Sequence, residues 1–81
     1  MESRRNENTV PPEKGSTFKV RIEGLSRKGD NAIAYIQAPE QFYGFVLFLP
    51  SEEASNAGQT VNAMITGIGR SGRVGFAEVV R

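Results

Sequence analysis

Phe18, Val20 and Ile22 alternate with Lys19, Arg21 and Glu23. A strict period of two sends successive side chains to opposite faces of an extended strand, so this segment must give one face to a core and the other to water. The stretch Ser26-Arg27-Lys28-Gly29-Asp30-Asn31 ends the strand, because Gly, Asp and Asn tolerate the backbone angles of tight turns. Ala32-Ile33-Ala34-Tyr35-Ile36 reads as a second strand. Pro39 makes residues 37–42 a connection or an edge, since proline cannot donate to a central ladder.

The run Gly44-Phe45-Val46-Leu47-Phe48-Leu49, closed by Pro50, is apolar throughout. It is too short for a typical helix, and its β-branched and aromatic content predicts a third strand covered on both faces. Without alternation, its inward parity is not legible. Residues 51–58 read either as one helical turn, with Ser51 as cap and Glu52 and Glu53 near the positive end of the dipole, or as a loop. A fourth strand over 60–68 sets Val61, Ala63 and Ile65 against Asn62, Met64 and Thr66; Gly69-Arg70-Ser71-Gly72 is a turn, and 73–80 a fifth strand.

A chain of 81 residues builds one core, not two. Five short strands, punctuated by nine Gly and four Pro, predict an all-β fold, a small five-stranded OB-like β-barrel, which leaves no open sheet edge. An SH3-like barrel fits the same strand count; the segment between strands three and four favours the OB-like form. Residues 1–15 are polar and of mixed charge, and read as a flexible tail before a barrel at 16–81.

There is no Cys and no His, which removes disulfides, Cys/His zinc sites, thiol nucleophiles and His-based acid–base chemistry. Adjacent Glu52 and Glu53 point apart and read as a solvated acidic turn. Gly67-Ile68-Gly69-Arg70-Ser71-Gly72 imitates a dinucleotide fingerprint, but no helix follows it. A binding module is therefore expected, without enzyme activity, cofactor or metal. No apolar run reaches the ~20 residues that span a bilayer, and the first residues lack the apolar stretch of a secretory signal. The expectation is a cytoplasmic protein without a membrane partner.

Net charge is only +1, so the distribution of charge carries any case for nucleic acid. An OB barrel takes its ligand across strands two and three, flanked by the loops joining strands one to two and four to five. Those loops hold Arg27 and Lys28, and Arg70 and Arg73, while Glu40, Glu52 and Glu53 fall elsewhere. Four of the seven bases beyond the tail, the others being Lys19, Arg21 and Arg81, are thus expected to gather at one end of the barrel to hold phosphates. Arg4 and Arg5 would add weak contacts. Phe18 shares a face with Val20 and Ile22 and is expected to pack in the core, whereas Tyr35, Phe45, Phe48 and Phe76 are candidate platforms for stacking bases. Phe76 shares its face with Glu78, which argues for exposure.

Arg27-Lys28-Gly29-Asp30 followed by Ala32-Ile33-Ala34, then Gly44-Phe45-Val46-Leu47-Phe48-Leu49-Pro50, Gly58-Gln59-Thr60-Val61 and Gly75-Phe76-Ala77-Glu78-Val79-Val80, resemble the TRAM domain in order and approximate spacing. The resemblance covers about residues 15–81. It implies an OB-like barrel that binds RNA (tRNA, rRNA or mRNA), of the kind appended to tRNA-modifying enzymes and found free-standing in archaea, where it implies an RNA-chaperone role. A monomer is expected. The chain departs from the family pattern at Asn31, where Gly is usual, at Tyr35, where a base is common, and at Val74, where a larger aromatic or basic residue is common. Residues 37–43 look like an extension that adds Phe42 and Tyr43 near the binding face. The rival reading is a protein-interaction barrel that docks a partner on the same aromatic patch.

Overall fold

In a computed structural model, which describes residues 12–80, the predicted alternation becomes five strands. They are β1 (Thr17–Leu25), β2 (Asn31–Ala38), β3 (Val46–Pro50), β4 (Thr60–Ile68) and β5 (Val74–Val80). They close into a barrel in the order β1-β2-β3-β5-β4, with β4 returning to pair with β1. All pairs are antiparallel except β3 with β5. This is the small all-β OB-like barrel that the strand pattern predicts.

One strand must serve two neighbours for the barrel to close. β1 pairs with β2 along one edge and with β4 along the other, and its register against β2 slips between Lys19 and Val20 and again between Ile22 and Gly24. Such irregularities bend a strand and increase its twist. Gly24 stands at the second with φ +146°, a conformation that side-chain-bearing residues rarely adopt.

The interior is filled by Val20 and Ile22 from β1, Ala32, Ala34 and Ile36 from β2, Leu47 and Leu49 from β3, Ala63 and Ile65 from β4, and Ala77 from β5. Alternating small and large side chains is how a narrow barrel fills its taper. β2 illustrates the consequence: Ala32 and Ala34 point inward, and the bulkier Ile33 points out. On β3, Leu47 and Leu49 point inward while Val46 and Phe48 remain half-buried on the outer face. The expected cover on both faces of this strand is therefore incomplete.

Strand three also begins later than the apolar run suggests. Gly44, at φ +84°, lies in the preceding turn, where its N–H donates to the Ile36 carbonyl at 2.9 Å. Phe45 precedes the strand and packs against the core. Phe42, on a 3-10 turn over Glu40–Phe42, meets Phe18 edge-on at a centroid distance of 5.2 Å, and both rings pack against the core. The extension at 37–43 thus contributes Phe42 to core packing rather than to a binding face. Tyr43 is 68% exposed.

Residues 51–58 contain a 3-10 helix, Ser51–Asn56, packed against β1 and β2. Of the two adjacent acids, Glu52 is exposed, but Glu53 is 9% exposed and accepts a hydrogen bond from Asn56 Nδ2 at 3.1 Å. A solvated acidic turn is therefore the wrong description of Glu53. The helix packs on the barrel with Glu53 buried and Ala54 half-buried, while Ser51, Glu52 and Ser55 face solvent.

Residues 1–11 of the expected tail, Arg4 and Arg5 among them, lie outside the described residues. Within 12–15, Pro12 is fully buried and the Gly15 N–H donates to the Ile65 carbonyl at 2.8 Å. The attachment to the barrel begins upstream of residue 16.

Candidate nucleic-acid interface

Strand pairing aligns the outward side chains of β2, β3 and β5 into two rows. Ile33 opposes Phe48, which opposes Phe76; Tyr35 opposes Val46, which opposes Val74. The first row continues onto β4 at Gly67, the partner of Phe76. A Cβ built on Gly67 would come within 3.9 Å of Phe76 Cδ2, so this ring extends over the glycine. Phe76 is 43% exposed, and Glu78 is exposed on the same face of β5. The ring of Phe76 lies 5.8 Å from that of Phe48, tilted by 38°.

The aromatic candidates divide by strand parity. Phe48, Phe76 and Tyr35 share the outer surface, with Tyr35 one row from the phenylalanine pair. Phe45 has the parity of Leu47 and packs against the core instead; one extended segment cannot present both Phe45 and Phe48 outward. Ile33, Val46 and Val74 complete the surface, and none of the three is among the binding candidates read from sequence. The available signal was on β2, where Ile33 shares parity with Asn31 and Tyr35, two residues with polar tips.

The basic residues do not gather at one end. The loop carrying Arg27 and Lys28 precedes Asn31, which pairs with Pro50 at the close of β3. The loop carrying Arg70 and Arg73 precedes Val74, which pairs with Val46 at the start of β3. Two positive loops therefore stand at opposite ends of the same strand, separated by the aromatic row. All four side chains are exposed. Arg21 and Glu23 form an ion pair at 3.7 Å, an exposed contact of little energetic weight.

Both loops are held by short local hydrogen bonds. In the first, the Ser26 N–H donates to the Asn31 carbonyl at 2.8 Å and the Gly29 N–H to the Ser26 carbonyl at 2.9 Å. In the second, the Gly69 N–H donates to the Val74 carbonyl at 2.8 Å and the Arg73 N–H to Ser71 Oγ at 3.2 Å. A Cβ on Gly69 would lie 2.9 Å from Val74 Cγ2, so this position excludes a side chain. Beside the first loop runs an open groove of about 430 Å³, lined by Ser26, Arg27, Lys28, Asp30, Asn31, Ile33 and Phe48. Positive charge, two polar side chains and an aromatic ring thus share one concavity. Among the described residues, no cluster of three or more His, Cys, Asp or Glu side chains offers a metal site, and no helix is long and apolar enough to cross a membrane.

The chain is similar to an uncharacterized protein of Methanocaldococcus jannaschii, at 38% identity over 79 residues, covering 98% of this chain and 83% of that one. It is also similar in structure to a conserved protein of Methanococcus maripaludis whose solution structure is known, with a TM-score of 0.64, 29% identity, and coverage of 96% and 94% of the two chains. A crystal structure of a multidomain protein with nucleic acid binding domains, from Streptococcus pneumoniae, shares the fold at a TM-score of 0.63 and 11% identity; the match covers 96% of this chain and 29% of that protein. The TRAM domain model matches residues 11–80, which include all five strands, and the chain belongs to the TRAM domain family.

Proposed function

We propose that this protein is a non-catalytic module, acting in the cytoplasm as a monomer, that binds unpaired segments of tRNA or other structured RNA across the outer face of β2, β3 and β5. One observation carries the reading: the partly exposed Phe48–Phe76 pair lies between two positive loops at the two ends of β3. Aromatic faces accept any base, each stack contributing about 1–3 kcal/mol, and the flanking cations displace counterions from the backbone. Family membership and the nucleic acid binding domains of the streptococcal neighbour agree with a nucleic-acid ligand.

Single strands suit this face better than duplexes, because A-form helices hide their base edges in a deep, narrow major groove, whereas loops and ends can splay bases onto aromatic rings. A protein that binds only the unpaired form stabilises it by mass action. Such a module therefore melts weak RNA hairpins as it saturates them, which is the physical content of an RNA-chaperone role.

Ultraviolet cross-linking of the full chain to RNA in its own cells, followed by sequencing of the recovered fragments, tests the reading. Enrichment of unpaired stretches is expected, with fewer cross-links in a Phe76→Ala variant. Recovery no greater than that of an unrelated small barrel overturns it, and transfers the aromatic pair to a protein-docking role.

A further inference from the structure

The groove beside the first loop contains a feature that phosphate binding does not explain. Asp30 lines it together with Arg27 and Lys28, and a carboxylate beside a polyanion is repulsive. Asp suits the backbone of a tight turn, but the turn makes no use of its carboxylate. The turn is closed by the backbone bonds at Ser26, Gly29 and Asn31 and by the Asn31 N–H donating to Ser26 Oγ at 3.4 Å, none of which uses the Asp30 side chain. Among the described residues, no hydrogen bond or ion pair engages its carboxylate. It is an exposed acceptor group, and the one carboxylate, in a concavity it shares with two cations, Ser26, Asn31, Ile33 and Phe48.

We propose that this groove selects guanine: one nucleotide stacks on Phe48 and Ile33, its phosphates reach Arg27 and Lys28, and its N1–H and N2 amino group donate to the two oxygens of Asp30. The inference rests on the RNA-binding reading and adds base specificity to it. Guanine is the base whose Watson–Crick edge offers two adjacent donors, matching an acceptor-only carboxylate with two oxygens. Adenine offers one donor beside an acceptor at that edge. Cytosine offers one donor beside an acceptor, and uracil one donor between two acceptors. A volume of about 430 Å³ lies in the lower part of the roughly 300–1,000 Å³ range of small-ligand sites, which suits one nucleotide rather than a run of them. Asn31 is already committed at this site: its Nδ2 donates to the Leu49 carbonyl at 3.4 Å, which anchors the floor beside Asp30.

The carboxylate then discriminates between bases and does not add general affinity. Binding of labelled uridine octamers carrying one central guanosine, inosine, adenosine or cytidine, compared with all-uridine, separates these roles. Wild type is expected to favour guanosine about tenfold over inosine, which lacks the N2 amino group. Asp30→Asn is expected to abolish that preference while holding or raising affinity for all-uridine, since a negative charge near the backbone is gone. Its thermal midpoint is expected to match wild type, as Asp30 is exposed and outside the turn bonds. If every octamer binds wild type equally, or if adenosine or cytidine is preferred, guanine selection is overturned while RNA binding stands. If Asp30→Asn keeps the guanosine preference, Asp30 is not the selector and the proposal is likewise overturned. If no octamer binds at all, the RNA-binding reading fails, and the proposal fails with it.

Discussion

Phe48 and Phe76 are direct partners across the parallel pair β3 and β5, with ring centroids 5.8 Å apart. Because each ring supports the other, their roles in binding are coupled. Phe48→Ala and Phe76→Ala are each expected to weaken binding to single-stranded RNA by about 1–3 kcal/mol. Residues in contact are not additive, so the double variant should lose less than the sum of the two. Phe76→Ala should cost no more than about 1 kcal/mol of stability, the usual scale for a partly exposed side chain. Fluorescence anisotropy and urea denaturation measure both quantities; an unfolded Phe76→Ala protein would mean that the ring serves the core.

The separation of the two positive loops gives a second expectation. For single-stranded RNA, log affinity falls against log salt with a slope of about −0.7 per phosphate neutralised. Arg27→Gln with Lys28→Gln should shallow that slope by about 1.4, and Arg70→Gln with Arg73→Gln by about the same amount. The pairs stand at opposite ends of β3 and should act independently. A wild-type slope in either double variant would remove that loop from the phosphate path.

Glu53 and Glu52 are neighbours with different fates. Glu53→Ala removes a buried carboxylate and leaves Asn56 without the partner at 3.1 Å, which should cost about 1–3 kcal/mol of stability. Glu52→Ala, on the exposed side, should stay within about 0.5 kcal/mol. Neither should change RNA affinity in folded protein. Equal stability of the two variants by urea denaturation would contradict the burial of Glu53.

Truncation tests the attachment upstream of β1. A chain beginning at Pro12 retains the buried proline and the Gly15 bond to Ile65; a chain beginning at Ser16 loses both. The shorter form should be about 1 kcal/mol less stable, with a thermal midpoint lower by about 4–8 °C. Identical midpoints would show that residues 12–15 contribute no packing.

Parity was legible wherever apolar and polar residues alternate. Phe18, Val20 and Ile22 against Lys19, Arg21 and Glu23 predict the packing side of β1, and Glu78 predicts the exposure of Phe76, two residues away on the same face. The run Gly44-Phe45-Val46-Leu47-Phe48-Leu49 carries no such contrast. Glu53 was misread for a related reason: residue type favours solvent, and only the packing of the Ser51–Asn56 helix on the barrel buries it.

The five strands, the turns between them and the identity of the basic loops follow from local pattern, because period-two hydrophobicity and turn chemistry act over a few neighbouring residues. That Phe45 packs inward while Phe48 faces out beside Phe76, and that the two basic loops flank β3 from opposite ends, emerges from the folded barrel alone. Both outcomes depend on which strands pair and in what register. Register is set by closing all five strands around one core at once, so no segment encodes it alone.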